Sequence, residues 1–228
     1  MNLKVFKNSF LSVLGMGLPL LAAFFATPNL IKALGDREFG VLTLIWALLG
    51  YFGIFDFGVG RALTVLLGAS RGHQSSKGDS YLPGILMSGL LMSLVAALLS
   101  MLLTWLFLFW FLGAEIRVSS LGTWSAPERE ALLLCVWGII PTVMTNTLRG
   151  ALEGLDRFLE SSAIRGLTGA AVFVGPMLVS YLSPLTLKMA CLSIIIFRWL
   201  GMFWGMYCLR KPLLLCKWSY FGTVFQFV

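Results

Sequence analysis

Charge is scarce in this chain. Asp, Glu, Lys and Arg make up 12% of its 228 residues, against 58% for hydrophobic residues, whereas soluble domains carry about a quarter charged residues. With a mean hydropathy of +0.89, a water-soluble fold would leave too much apolar surface in contact with solvent. Histidine is nearly absent: His73 stands alone in a polar loop with Gly72, Gln74, Ser75 and Ser76. The four cysteines, Cys135, Cys191, Cys208 and Cys216, are widely scattered and form no CxxC. No metal site is expected from such a set, and the cysteines read as small apolar helix residues. Nor is there a basic run of the kind that follows nucleic-acid phosphates. The net charge of +7 therefore points to basic loops beside a membrane. HExxH, GxSxG, a Walker A loop and paired intramembrane aspartates are all missing, which argues against an enzyme, an ATPase or a cofactor site. A signal-peptide cleavage site is missing too. Lys4 and Lys7 precede an apolar run from about Asn8 to Ile31, too long for a signal core.

What is present is a series of long apolar runs. A spanning helix needs about 20 mostly apolar residues, and six stretches qualify: roughly 8–31, 39–68, 81–113, 130–149, 163–183 and 187–209. The expected fold is all-α, a polytopic six-helix transmembrane bundle over residues 1–212. The remaining 213–228 read as the cut-off start of a seventh span or as an interfacial tail anchored by Trp218 and Tyr220. With both ends of the bundle cytoplasmic, the inner loops hold Lys4, Lys7, Arg71, Lys77, Arg149, Arg157, Arg165, Arg210, Lys211 and Lys217, and the outer loops hold Lys32, Arg37, Arg117, Arg129 and Lys188. Basic residues favour the inner side.

Ionisable groups inside spans are the first candidates for function, because desolvating a charge is costly. Arg198 lies about 16 Å into the last span at 1.5 Å per residue, too deep to snorkel easily. It needs a hydrated cavity, an anionic ligand or a carboxylate such as Asp56. Guanidinium suits phosphate, so Arg198 and Arg61 are candidate anion-binding residues. Asp56 is a candidate ion-coupling residue or one half of a structural ion pair. Asn146, between Thr145 and Thr147, is a candidate for hydrogen bonding to a sugar, or to a neighbouring helix. Pro19, Pro141 and Pro176 each remove a backbone donor within a span and permit a kink or hinge. Small residues four apart, such as Gly201 with Gly205 and Ser162 with Gly166, mark helix contacts. The segment RGALEGLDRFLESS, 149–162, reads as an interfacial amphipathic turn.

Two blocks add a resemblance. P-x-L-I-x-x-L-G-x-x-x-F-G runs from Pro28 to Gly40 and is followed by Asp56-x-Gly58, Ala62 and Thr64; L-E-G-L-x-R-F runs from Leu152 to Phe158. The chain resembles the polysaccharide transport family, the Wzx-type flippases of lipid-linked oligosaccharides, within the MATE-like exporters. The resemblance implies two six-helix halves around a central cavity, of which this sequence matches the N-terminal one. It implies a multi-pass protein of the bacterial cytoplasmic membrane that flips a polyprenyl-pyrophosphate-linked oligosaccharide by alternating access. It also implies as partners the lipid-linked oligosaccharide, membrane lipid, and a C-terminal half or second protomer. The alternatives are a cation-coupled multidrug exporter, which Asp56 would suit, and a non-transporting assembly subunit.

Overall fold

The computed structural model describes residues 3–52, 58–72, 78–117 and 124–214. Every element among them is helical: α1 (Leu3–Phe52), α2 (Val59–Gly72), α3 (Gly78–Arg117), α4 (Ala126–Cys135), α5 (Ile139–Gly154), α6 (Phe158–Leu182) and α7 (Leu187–Leu214). A short 3-10 turn, Val136–Gly138, joins α4 to α5. Five stretches are long and apolar enough to cross a membrane: Gly17–Phe52, Leu82–Phe111, Ala126–Gly154, Phe158–Leu182 and Leu187–Arg210; Val59–Ser70 is a shorter apolar helix. This is a multi-pass membrane protein. Residues 215–228, and with them the expected tail or seventh span, lie outside the described residues.

A straight helix of α1's 50 residues would reach about 75 Å, against a hydrocarbon core of about 30 Å. The chain instead turns within α1. Gly35 has φ 78° and ψ 164°, a conformation essentially reserved for glycine. This explains the glycine in the Pro28–Gly40 block. The packing fixes the direction on each side of the turn. Before it, Gly15 meets Ser162, Leu18 meets Gly166, and Pro19 meets Gly169, so the first part of α1 runs parallel to α6. Beyond it, Gly60 meets Gly150, and Thr64 and Leu67 meet Gly154, so α2 runs parallel to α5. Since α5 and α6 form an antiparallel hairpin, the chain reverses between Pro19 and Gly60.

The expected second span, 39–68, is not one helix. Its first part closes α1 at Phe52 and its second part is α2. Gly58, at φ 75°, takes a left-handed conformation that interrupts an α-helix. The expected interfacial turn at 149–162 is also mostly helix, and only 155–157 lie between α5 and α6. That turn is a Schellman closure. The Arg157 N–H donates to Leu152 O at 2.8 Å and the Asp156 N–H to Glu153 O at 3.0 Å, with Asp156 at φ 59°. The tight reversal draws Arg149 and Arg165 into facing helices.

The core forms two apolar clusters. One, towards the Gly35 end, includes Leu30, Leu42, Ile45, Leu132, Ile139 and Leu187. The other, towards the α5–α6 turn, includes Leu63, Leu67, Leu86, Leu148, Ile164 and Leu209. The exposed flank of α3, with Leu99, Leu103, Phe107 and Trp110, suits hydrocarbon and would aggregate in water.

Candidate functional site

Between α1, α5, α6 and α7 lies a cavity of about 360 Å³. Its wall from α5 is a polar stripe: Thr142, Thr145, Asn146 and Arg149, at i, i+3, i+4 and i+7, the spacing of one helix face. From α6 come Arg165, Thr168 and Gly169, from α7 Arg198, and from α1 Gly15 and Pro19. Three guanidinium groups thus converge on one space. At 1.5 Å per residue, Arg149 sits about 7 Å from the turn end of α5 and Arg165 about 10 Å from that end of α6. Arg198 sits about 16 Å along α7 from its start at Leu187.

The local structure near Pro141 sets up Arg198. Proline lacks an N–H and cannot donate to the preceding turn, and the 3-10 turn Val136–Gly138 ends three residues before it. The Thr142 hydroxyl donates to Gly138 O at 2.5 Å and accepts from Arg198 Nη1 at 2.6 Å. Its one proton is spent on the carbonyl, so its lone pair faces the guanidinium. Arg149 Nη1 reaches Asn146 Oδ1 at 3.4 Å, a weak contact. Arg165 Nη2 pairs with Glu153 Oε1 at 3.3 Å. Among the described residues, neither Arg149 nor Arg198 forms an ion pair. The Nε atoms of Arg149, Arg165 and Arg198 are all buried without a hydrogen-bond partner among the described residues.

The residues singled out from sequence fall as follows. Arg198 and Asn146 line the cavity together, as do Pro19 and Pro141. Pro176 is buried within α6 and is not part of the lining. Arg61 is exposed on α2 and is not part of the lining. Asp56 lies outside the described residues, and any pairing with Arg198 lies there too. Arg149 and Arg165, assigned to cytoplasmic loops by charge counting, are wall residues instead. Their signal was available as periodicity: Thr142, Thr145, Asn146 and Arg149 share one face of α5, and Ser161, Arg165 and Thr168 share one of α6.

A second, wider and mainly apolar cavity of about 630 Å³ opens between α3, α4 and α7. Leu98, Leu102, Trp105 and Trp137 line it, and its charged residues, Glu130 and Lys188, pair with each other at 3.0 Å. It leaves no charge unanswered.

Comparison with known proteins yields one stretch of similarity to report. Over 61 residues, 27% of this chain, the sequence is 39% identical to a Shigella flexneri protein described as "Putative O-antigen transporter". The matched stretch spans 15% of that relative's length. No family model matches the chain. No solved structure matches it.

Proposed function

We propose that this chain is the substrate-binding part of a polysaccharide exporter, and that its cavity holds the phosphate linkage of a lipid-linked oligosaccharide during transfer across the bacterial cytoplasmic membrane. The convergence of Arg149, Arg165 and Arg198 on one cavity, with Glu153 as their one ion-pair partner among the described residues, carries the reading. Buried guanidinium groups are costly without an anion in reach. Phosphate oxygens match their geometry, and a diphosphate can engage more than one of them. The volume is at the small end of ligand sites, which run from about 300 to 1,000 Å³. It suits the charged linkage rather than a whole repeat unit. Asn146, Thr145 and Thr168 supply hydrogen-bonding groups for an adjoining sugar, and the lipid tail would stay in hydrocarbon. The partial similarity to a protein described as an O-antigen transporter agrees with this. A multidrug exporter of organic cations is disfavoured, because among the described residues three arginines against one carboxylate repel a cation.

In this reading the N-terminus and the α5–α6 turn face the cytoplasm, a second half or second protomer closes the far side of the cavity, and the assembly works by alternating access. The test is binding of inorganic pyrophosphate to the full chain in nanodiscs, followed by calorimetry. Arg198→Gln is expected to weaken binding by about 10-fold or more, the scale of a charged hydrogen bond, with helical content unchanged. Equal affinity in the variant would remove the cavity from the mechanism.

A further inference from the structure

Glu153 stands apart from the rest of the polar wall. It is the one carboxylate among the described residues that pairs with a cavity arginine, and a single oxygen, Oε1, takes both of its contacts: Arg165 Nη2 at 3.3 Å and the Ser161 hydroxyl at 2.6 Å. The shorter bond holds the carboxylate in place. Ser161 is buried, at 1% exposure, and the Schellman turn fixes it opposite the end of α5. The arginine contact is the long one, and Arg165 keeps a buried, unpartnered Nε–H. Arg165 is therefore tied to Glu153 by one stretched interaction, with a side-on fork still available.

We propose that Glu153 is a built-in stand-in anion for Arg165, displaced when a phosphate enters and restored when it leaves. This rests on the reading of the cavity as a phosphate site. A phosphate brings more charge and more acceptor oxygens than the single carboxylate oxygen at 3.3 Å, and it can take Nε–H and Nη–H together. Glu153 keeps its bond to Ser161 throughout, so it stays poised to recapture the arginine. Among the described residues, Arg149 and Arg198 form no ion pair with a carboxylate. They set the resting attraction, while Glu153 lowers the net affinity and favours release, which a carrier needs as much as capture. Apparent affinity falls by the fraction of time the competent state is available. An arginine occupied by Glu153 about nine-tenths of the time costs about 10-fold.

The experiment measures inorganic pyrophosphate binding and its dissociation rate with the full chain in nanodiscs. Glu153→Gln retains an oxygen acceptor for Ser161 and removes the charge. It is expected to bind about 5- to 10-fold more tightly, with slower dissociation. In an Arg165→Gln background the same change is expected to have no effect, which a general loss of negative potential would not produce. Glu153→Asp, one methylene shorter, still carries a carboxylate but no longer reaches Arg165, and is expected to move affinity in the same direction. Unchanged or weaker binding in a folded Glu153 variant, alongside normal wild-type binding, overturns the stand-in role and leaves the phosphate site intact. No binding by the wild type overturns both.

Discussion

At the Gly35 end, Arg37 meets a buried carboxylate: its Nε donates to Glu128 Oε1 at 2.7 Å and its Nη2 to Oε2 at 3.1 Å. Oε2 also accepts the Ser125 N–H at 2.7 Å and so caps α4. In the middle of the bundle, the one hydrogen-bond partner of Arg198 among the described residues is the Thr142 hydroxyl. The contrast separates two uses of one residue type. Arg37 is largely exposed, at 69%, and its partner is buried, at 3%; its fork is saturated by the protein, and it joins the first reversal of the chain to the start of α4. Arg198 is positioned by a neutral acceptor that cancels none of its charge, so the charge remains available to a ligand. A carboxylate partner makes an arginine part of the framework, while a hydroxyl partner orients it.

The contrast is open to direct attack. The largest expected loss of stability is at Glu128→Ala, which removes a bidentate ion pair and a helix cap together. It should cost about 2–4 kcal/mol, visible as a lower melting temperature in detergent, while pyrophosphate affinity stays at its wild-type value. Arg198→Gln should do the reverse, losing affinity without loss of thermal stability, because removing a largely buried charge that has no carboxylate partner among the described residues relieves a desolvation cost. Thr142→Val should be milder, at about 1 kcal/mol of stability and a several-fold weaker affinity, with Thr142→Ser restoring both. The smallest change is expected at Lys188→Ala. Its pair with Glu130 is more than half exposed on both sides and should contribute less than about 1 kcal/mol. A melting shift there as large as that of Glu128→Ala would erase the distinction between framework and surface pairs.

Much of the fold could be read from apolar run lengths, because a bilayer imposes one scale on every crossing. The runs at 81–113, 130–149, 163–183 and 187–209 correspond to α3, α4–α5, α6 and α7. The gap between the runs 8–31 and 39–68 falls where the chain turns at Gly35. Hydropathy failed inside the run 39–68, where backbone conformation decided the outcome. Gly58 takes positive φ, and no averaging of side-chain character reveals a dihedral angle. The site was legible in part. Arg198 stood out because a mid-span charge is conspicuous. Arg149 and Arg165 did not, because a basic residue near the end of a span looks like an ordinary loop anchor until the turn beside it proves to be three residues long. Glu153 was hidden for the same reason, inside a mixed-charge segment resembling a solvated turn. Its partnership with Arg165 depends on the Schellman geometry at Asp156.

At Gly150 the backbones of α2 and α5 come into direct contact. A methyl group on Gly150 would overlap the Gly60 carbonyl oxygen, and the Thr64 hydroxyl shares its single proton between Gly60 O at 3.0 Å and Gly150 O at 2.9 Å. Two rods in such close contact, clipped by a bond to each backbone, have no lubricating layer to slide upon. Whatever motion the bundle undergoes, α5 must carry α2 with it as one lever, and on the α6 side the bending falls to the three-residue turn before that helix.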